Sequence, residues 1–346
     1  MKTTKIYLLA VLSALFIVSC SNDDVVETPT LGAYQNGILV VNEGSANSGT
    51  ISFLKSDGSA IAKDIYKAEN NDELGKFVQN VFFNGDYAYI IAGGANKITV
   101  VNRKTFKVVN KIETGLKNPR YGVVVNGKAY VTNANTYSYV NQATGNTDDY
   151  VAVINLNTNT VESTINLNAT ADKLVAYSNK LYITDPYNSK LLVVDLANNT
   201  VNNSASIGLG ANSMEIKDDT LYVLRDTEIV KVKLADNSVT TTPLDSSITS
   251  ARNLDIEGAK LYFTVDNKVF TGEVATLLFS TTPIITYTST SAYGKSYGFA
   301  VINDKIYIGD ASDFSLEGKV YIYSTTGTLV KEYASGIAPN GFYYNN

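Results

Sequence analysis

The sequence predicts an all-β chain folded as a seven-bladed β-propeller with four-stranded antiparallel blades, closed by the C-terminal strand pairing with the N-terminal blade. Three observations predict it. A turn-plus-strand unit recurs seven times, the copies are 40 to 52 residues apart, and the two chain ends supply complementary parts of one unit.

Residues 1–19 read as a lipoprotein signal peptide. Lys2 and Lys5 give a positive start, and Ile6 to Val18 is an almost unbroken apolar run, with about 13 residues too few to span a bilayer as a stable helix. The run ends in Ile17-Val18-Ser19-Cys20, which resembles the lipobox cut by lipoprotein signal peptidase. Cys20 is the single cysteine, so it has no disulfide partner within the chain, and lipidation is the role its position predicts. Residues 20–33 then form a polar tether opening on Ser21-Asn22-Asp23-Asp24, which resembles the surface-export signal of some Gram-negative lipoproteins. The expected location is the outer membrane, facing the cell exterior, with the periplasmic face as the alternative.

The repeat occupies residues 34–346. Its unit is an Asn, Asp or Gly turn followed by a short strand centred on an aromatic or aliphatic residue. The centres are Leu39, Tyr89, Tyr130, Tyr182, Tyr222, Tyr262 and Tyr307. Behind each centre comes a second run such as Lys97–Asn102 or Leu191–Asp195, and then a third such as Phe106–Val109 or Thr200–Asn202. Ahead of it lies a run expected to line a central channel, of which Pro119–Val125 is an example. Ala338–Tyr344 matches that innermost pattern but has no centre after it, and the first copy has a centre but no full inner strand before it. Joining them completes a blade and hides a sheet edge. No convincing helical stripe is present beyond the signal; Leu74 to Phe82 is the nearest candidate.

Composition narrows the chemistry. The chain carries 28 basic and 33 acidic side chains, so a basic footprint for nucleic acid is missing. Histidine is absent, which removes His-assisted nucleophiles, His-ligated zinc and the usual near-neutral proton shuttle. Neither Asp148-Asp149 nor Asp310-x-x-Asp313 has the alternating spacing of a calcium loop, and no nucleophile stands beside a base. The reading is therefore of no catalytic residues, no metal and no cofactor.

In this architecture the loops after each second strand, and those entering each inner strand, gather on one face around the channel. The first group supplies Asn42, Glu43, Asn133, Asp185, Tyr187, Arg225, Asp310, Asp313 and Phe314. The second supplies Arg120, Tyr121, Arg252, Tyr297, Asn340 and Phe342. The long insertion at residues 134–150 adds Tyr137 and Tyr139. Aromatic faces mixed with amides and carboxylates suit a large polar ligand, a sugar or corrinoid among them.

The Asn/Gly-turn strands and hydrophobic-Val-Asp/Asn runs resemble YncE-like seven-bladed propellers over residues 34 to 346. Val41-Asn42-Glu43-Gly44-Ser45 with Gly49–Phe53 looks like the opening of a group of surface lipoprotein propellers. Gly309–Phe314, Gly318–Tyr323 and Gly336–Phe342 look like its ending. In that group BtuG-like members capture cobalamin and pass it to a TonB-dependent transporter. The resemblance implies non-catalytic ligand binding, with cobalamin or another corrinoid as the ligand and such a transporter as partner. An interaction platform for protein or glycan is the alternative, and a carboxylate-based carbohydrate-active enzyme is a third reading.

Overall fold

The structure is a computed structural model that describes residues 32–136, 140–142, 144–145 and 147–346. Among these residues the strands form seven separate antiparallel sheets of four. The inner strands are Pro339–Asn345, Val78–Asn84, Pro119–Val125, Leu174–Tyr177, Ser213–Lys217, Arg252–Glu257 and Gly298–Ile302, for blades 1 to 7. Each packs beside the inner strands of the two neighbouring blades, so the ring is closed. Among the described residues every sheet and core cluster lies between Gly32 and Asn346, and the closure is made inside that span, which is one compact unit.

In blades 2 to 7 the recurring Asn/Asp/Gly signal is the hairpin joining the inner strand to the second; in blade 1 it is the turn ahead of the second strand, Gly37–Asn42. Asn126-Gly127, Ser178-Asn179, Asp218-Asp219 and Asn303-Asp304 all place both central residues at positive φ. Such a turn matches strand twist but needs residues that tolerate the left-handed region, hence the composition. The strand that follows is the second strand in all seven blades. The seven repeat centres, from Leu39 to Tyr307, are all buried.

Second and third strands are buried on both faces, because each blade is sandwiched between two others. They therefore read as continuous apolar runs such as Ile98–Val101 and Leu191–Val194 rather than as an alternation. One inter-blade layer joins Tyr89, Ile91, Ile98 and Val100 of blade 2 to Ala129, Val131, Ala152 and Ile154 of blade 3. Outer strands are largely exposed, as in Val239–Pro243.

Blade 1 is completed by both chain ends, as expected. Pro339–Asn345 runs antiparallel to Gly37–Asn42, with Leu39 opposite Tyr343 and Val40 opposite Phe342. The seam with blade 7 is tight: a Cβ on Gly309 would lie 2.3 Å from the Pro339 carbonyl oxygen. Asn345, fully buried, donates to the Arg103 carbonyl at 2.8 Å and accepts from Arg103 Nε at 2.7 Å, tying the last strand to blade 2. The outer strand of blade 1 is only Ile61–Ala62, and the helix Ile65–Asn70 follows it, burying Ile65 and Tyr66. The nearest helical candidate of the sequence, Leu74 to Phe82, is instead a loop leading into the inner strand Val78–Asn84. Tertiary burial of Val78, Val81 and Phe82 accounts for its apolar spacing.

Candidate functional site

The starts of the inner strands and the loops above them enclose a cavity of about 1720 Å³ at one mouth of the channel. Of the residues selected from sequence, Glu43, Arg120, Tyr121, Tyr187, Arg252, Tyr297, Asn340 and Phe342 line it. The remaining described ones do not, and each has a structural task.

Asn42 is fully buried and holds the blade 1 seam, donating to Thr50 Oγ1 at 3.1 Å and accepting from Ser335 Oγ at 2.8 Å. Asn133 accepts the Lys117 N–H at 2.9 Å, and Asp185 accepts from Thr170 and from Asn188, both fixing loops. Arg225 is paired with Glu228 and donates to the Leu209 carbonyl at 2.7 Å. Asp310 accepts the Ser312 N–H at 2.9 Å, and Asp313 takes those of Ser315 and Leu316, each at 2.9 Å. Phe314 stacks edge-on against Tyr297, with centroids 4.9 Å apart, so it supports a lining residue without being one. A polar residue at the end of a second strand thus serves its own loop, because the loop's backbone donors need acceptors there. Tyr137 and Tyr139, like Cys20, lie outside the described residues.

One half of the wall is a bonded ionic network. The Tyr297 hydroxyl donates to Glu43, which also receives hydrogen bonds from Gln79 and Asn340. Burial raises the pKa of Glu43 above the usual carboxylate range, against those bonds and the nearby Arg120. Arg120 pairs with Asp172 at 3.2 Å, and the Lys173 ammonium lies 4.0 Å from the centre of the Tyr121 ring while donating to its hydroxyl. Burial pushes the Tyr343 phenol up to about 12; its oxygen accepts from Asn80 at 2.8 Å. Over blades 5 to 7 the lining mixes apolar side chains with charged ones such as Asp226, Arg252 and Lys268. Leu209, Met214, Leu254, Val265, Tyr293 and Phe299 face the cavity there.

Sequence reading missed Gln79, Asp172, Lys173, Asn212, Ser213 and Asp255, which also line the cavity. Gln79, Asp172, Lys173, Asn212 and Ser213 stand at or beside inner-strand starts, in blades 2, 4 and 5, just as Arg120 and Arg252 do in blades 3 and 6. Applying that position to every blade would have found these five. Asp255 lies further down its strand.

Below the mouth, side chains bond between blades. Ser213 Oγ accepts the Leu254 N–H at 2.8 Å, Glu215 accepts that of Ile256 at 2.7 Å, and Asp255 accepts that of Val301. An inner strand has a backbone partner on one side only, so these side chains satisfy the other edge. Burial and mutual repulsion raise Glu215 to about 8; burial, with Glu257 adding to it, raises Asp255 to about 7. Among the described residues no cluster of three or more acidic, His or Cys side chains is arranged to hold a metal ion.

The fold is shared with solved propellers of low identity. A functionally unknown protein from Desulfotomaculum acetoxidans is 13% identical with a TM-score of 0.65, over 89% of this chain and 98% of that one. A quinonprotein alcohol dehydrogenase-like protein from Bacteroides thetaiotaomicron is 16% identical (TM-score 0.64), over 90% and 79%. BamB from Moraxella catarrhalis is 14% identical (TM-score 0.52), over 90% and 86%. At such identities the likeness is one of fold alone. No curated protein matches the chain. The family model that does match spans residues 36–345, from the residue before the first strand to the last residue of the closing strand, and on that match the chain belongs to the family of the domain of unknown function DUF5074.

Proposed function

We propose that this protein is a non-catalytic cell-surface lipoprotein, anchored through Cys20, that captures a ligand in the channel-mouth cavity. The ligand that fits this reading best is cobalamin or a related corrinoid, passed on to a TonB-dependent outer-membrane transporter. The observation that carries the reading is the cavity itself. At about 1720 Å³ it exceeds the roughly 300–1,000 Å³ of pockets for drug-sized ligands, and it mixes aromatic faces with amide and carboxylate groups. The bonded network of Glu43, Tyr297, Arg120 and Asp172 holds its polar wall in place before any ligand arrives, which lowers the ordering cost of binding.

Calorimetric titration of residues 32–346 with cyanocobalamin tests this. The expected result is a one-to-one complex with submicromolar Kd, about −8 kcal/mol or better. Micromolar or weaker binding removes the corrinoid assignment.

A second reading is a platform for protein or glycan. Tyr293 and Leu209, 91% and 57% exposed at the cavity rim, favour it, because apolar side chains gathered around a mouth suit a covering partner. Co-purification of a transporter without any small ligand in the cavity would favour this reading over the first.

A further inference from the structure

The chain has four arginines, at positions 103, 120, 225 and 252. Three are committed. Arg103 lies 4.4 Å from the Phe83 ring centre and bonds Asn345, Arg120 pairs with Asp172, and Arg225 pairs with Glu228. The Arg252 guanidinium alone has no ion pair, hydrogen bond or ring contact among the described residues, and it lines the cavity.

Its backbone, by contrast, is fixed. The strand register shifts between Arg252 and Asp255, and Asn253 within that bulge stands at φ +59°. The Asn253 amide pins the bulge by donating to Thr264 Oγ1 at 3.0 Å and to the Ser296 carbonyl at 2.7 Å, while Thr264 Oγ1 donates to the Arg252 carbonyl at 3.2 Å. Bulges of this kind re-aim a side chain, and left-handed non-glycine residues are held only where the surroundings over-determine them.

A second cation of the same blade, Lys268, likewise has no ion pair among the described residues, and it also lines the cavity. Of the acids lining the cavity, Glu43 holds Tyr297, Asp172 holds Arg120, Asp255 takes the Val301 N–H and Asp266 pairs with Lys295 at 3.1 Å. Asp226 is the remaining one, and no ion pair joins it to either cation. A guanidinium fork matches a carboxylate or phosphate through two parallel hydrogen bonds. The exposed Tyr293 and Leu209 and the side chain of Met214 line the same cavity.

We propose that Arg252, supported by Lys268, is an anion-binding subsite of the cavity, and that the ligand class is an amphipathic organic anion. Its carboxylate or phosphate meets Arg252 and its flat apolar body lies along Tyr293, Leu209 and Met214. This rests on the reading of the cavity as a ligand site and names the kind of group it selects.

Three naphthalene probes test it by fluorescence titration of residues 32–346: 1-naphthoate, 1-naphthyl phosphate and neutral 1-naphthalenemethanol. Both anions should bind about tenfold tighter than the alcohol, and Arg252→Gln should bring all three within about twofold. The tighter of the two anions identifies the selected group. Arg252→Gln should leave the melting temperature unchanged, since no side-chain bond is lost, and Arg225→Gln should retain the preference. If the preference survives Arg252→Gln, or all three probes bind alike to the wild type, the subsite is overturned while the cavity reading stands. If none of the three binds, the subsite is overturned and the cyanocobalamin titration alone decides the cavity reading.

Discussion

Glu215 and Asp255 sit where adjacent inner strands pass one another, and each accepts a backbone N–H of the next blade. A neutral acid or an amide can accept that bond as well as a carboxylate can, without the repulsion between neighbours. Both groups titrate above the unfolded value near 4, at about 8 and about 7. The sign follows from linkage. The folded state holds these protons more tightly, so the stabilisation is full at low pH and is lost as pH rises through 7 to 8. Urea unfolding midpoints of residues 32–346 should therefore fall between pH 6 and pH 9. The pair Glu215→Gln and Asp255→Asn should raise stability at pH 9 by about 2 kcal/mol and flatten that slope. An unchanged slope in the double variant would show that other groups carry it.

The long insertion between the second and third strands of blade 3 shows how an element is anchored. Asp149 is almost fully buried and accepts the Asn135 N–H at 3.0 Å and the Ala171 N–H at 2.9 Å, closing the base of the insertion onto blade 4. Asp148 takes the Thr136 N–H at 3.1 Å and the Asn135 amide at 2.8 Å from an exposed position. The two aspartates, adjacent in sequence, therefore both serve as loop staples. Asp149→Ala leaves the buried Ala171 N–H and the Asn135 N–H unpaired and should cost about 2–3 kcal/mol, whereas Asp148→Ala should cost under about 1 kcal/mol. Chemical denaturation of the two variants measures the difference; equal costs would remove Asp149 from this role.

At the scale of the whole molecule, closure is the decisive contact. Removing Pro339–Asn346 takes away the inner strand of blade 1, exposes an edge on Gly37–Asn42 and breaks the Asn345–Arg103 tie to blade 2. The truncated protein should lose its cooperative thermal transition and aggregate, as an open sheet edge invites. A transition like that of the intact protein in calorimetry would mean that the ring holds without its clasp. The same reasoning explains the crowding at the seam, where Gly309 leaves no room for a side chain beside Pro339.

The repeat was legible from the residues alone: six Asn/Asp/Gly hairpins and a like turn ahead of the first strand, seven buried centres and the pairing of the chain ends. These are legible because they are local. A type I′ turn has its own residue requirement, and a strand buried on both faces leaves a continuous apolar run. Residues at inner-strand starts, Arg120, Arg252, Tyr297 and Asn340, were legible for the same reason, since their place in the unit fixes the face they reach. Which polar residues face the cavity is settled by the folded ring. Asn42, Asp185 and Asp310 have the same composition signal as lining residues, but their partners come from their own loops and seams. Arg225 meets Glu228 across its own hairpin, but that Arg120 is matched, while Arg252 has no ion pair among the described residues, depends on a side chain 52 residues away brought close by the ring. Partnership across blades has no period in the sequence, so it is settled only when the ring closes.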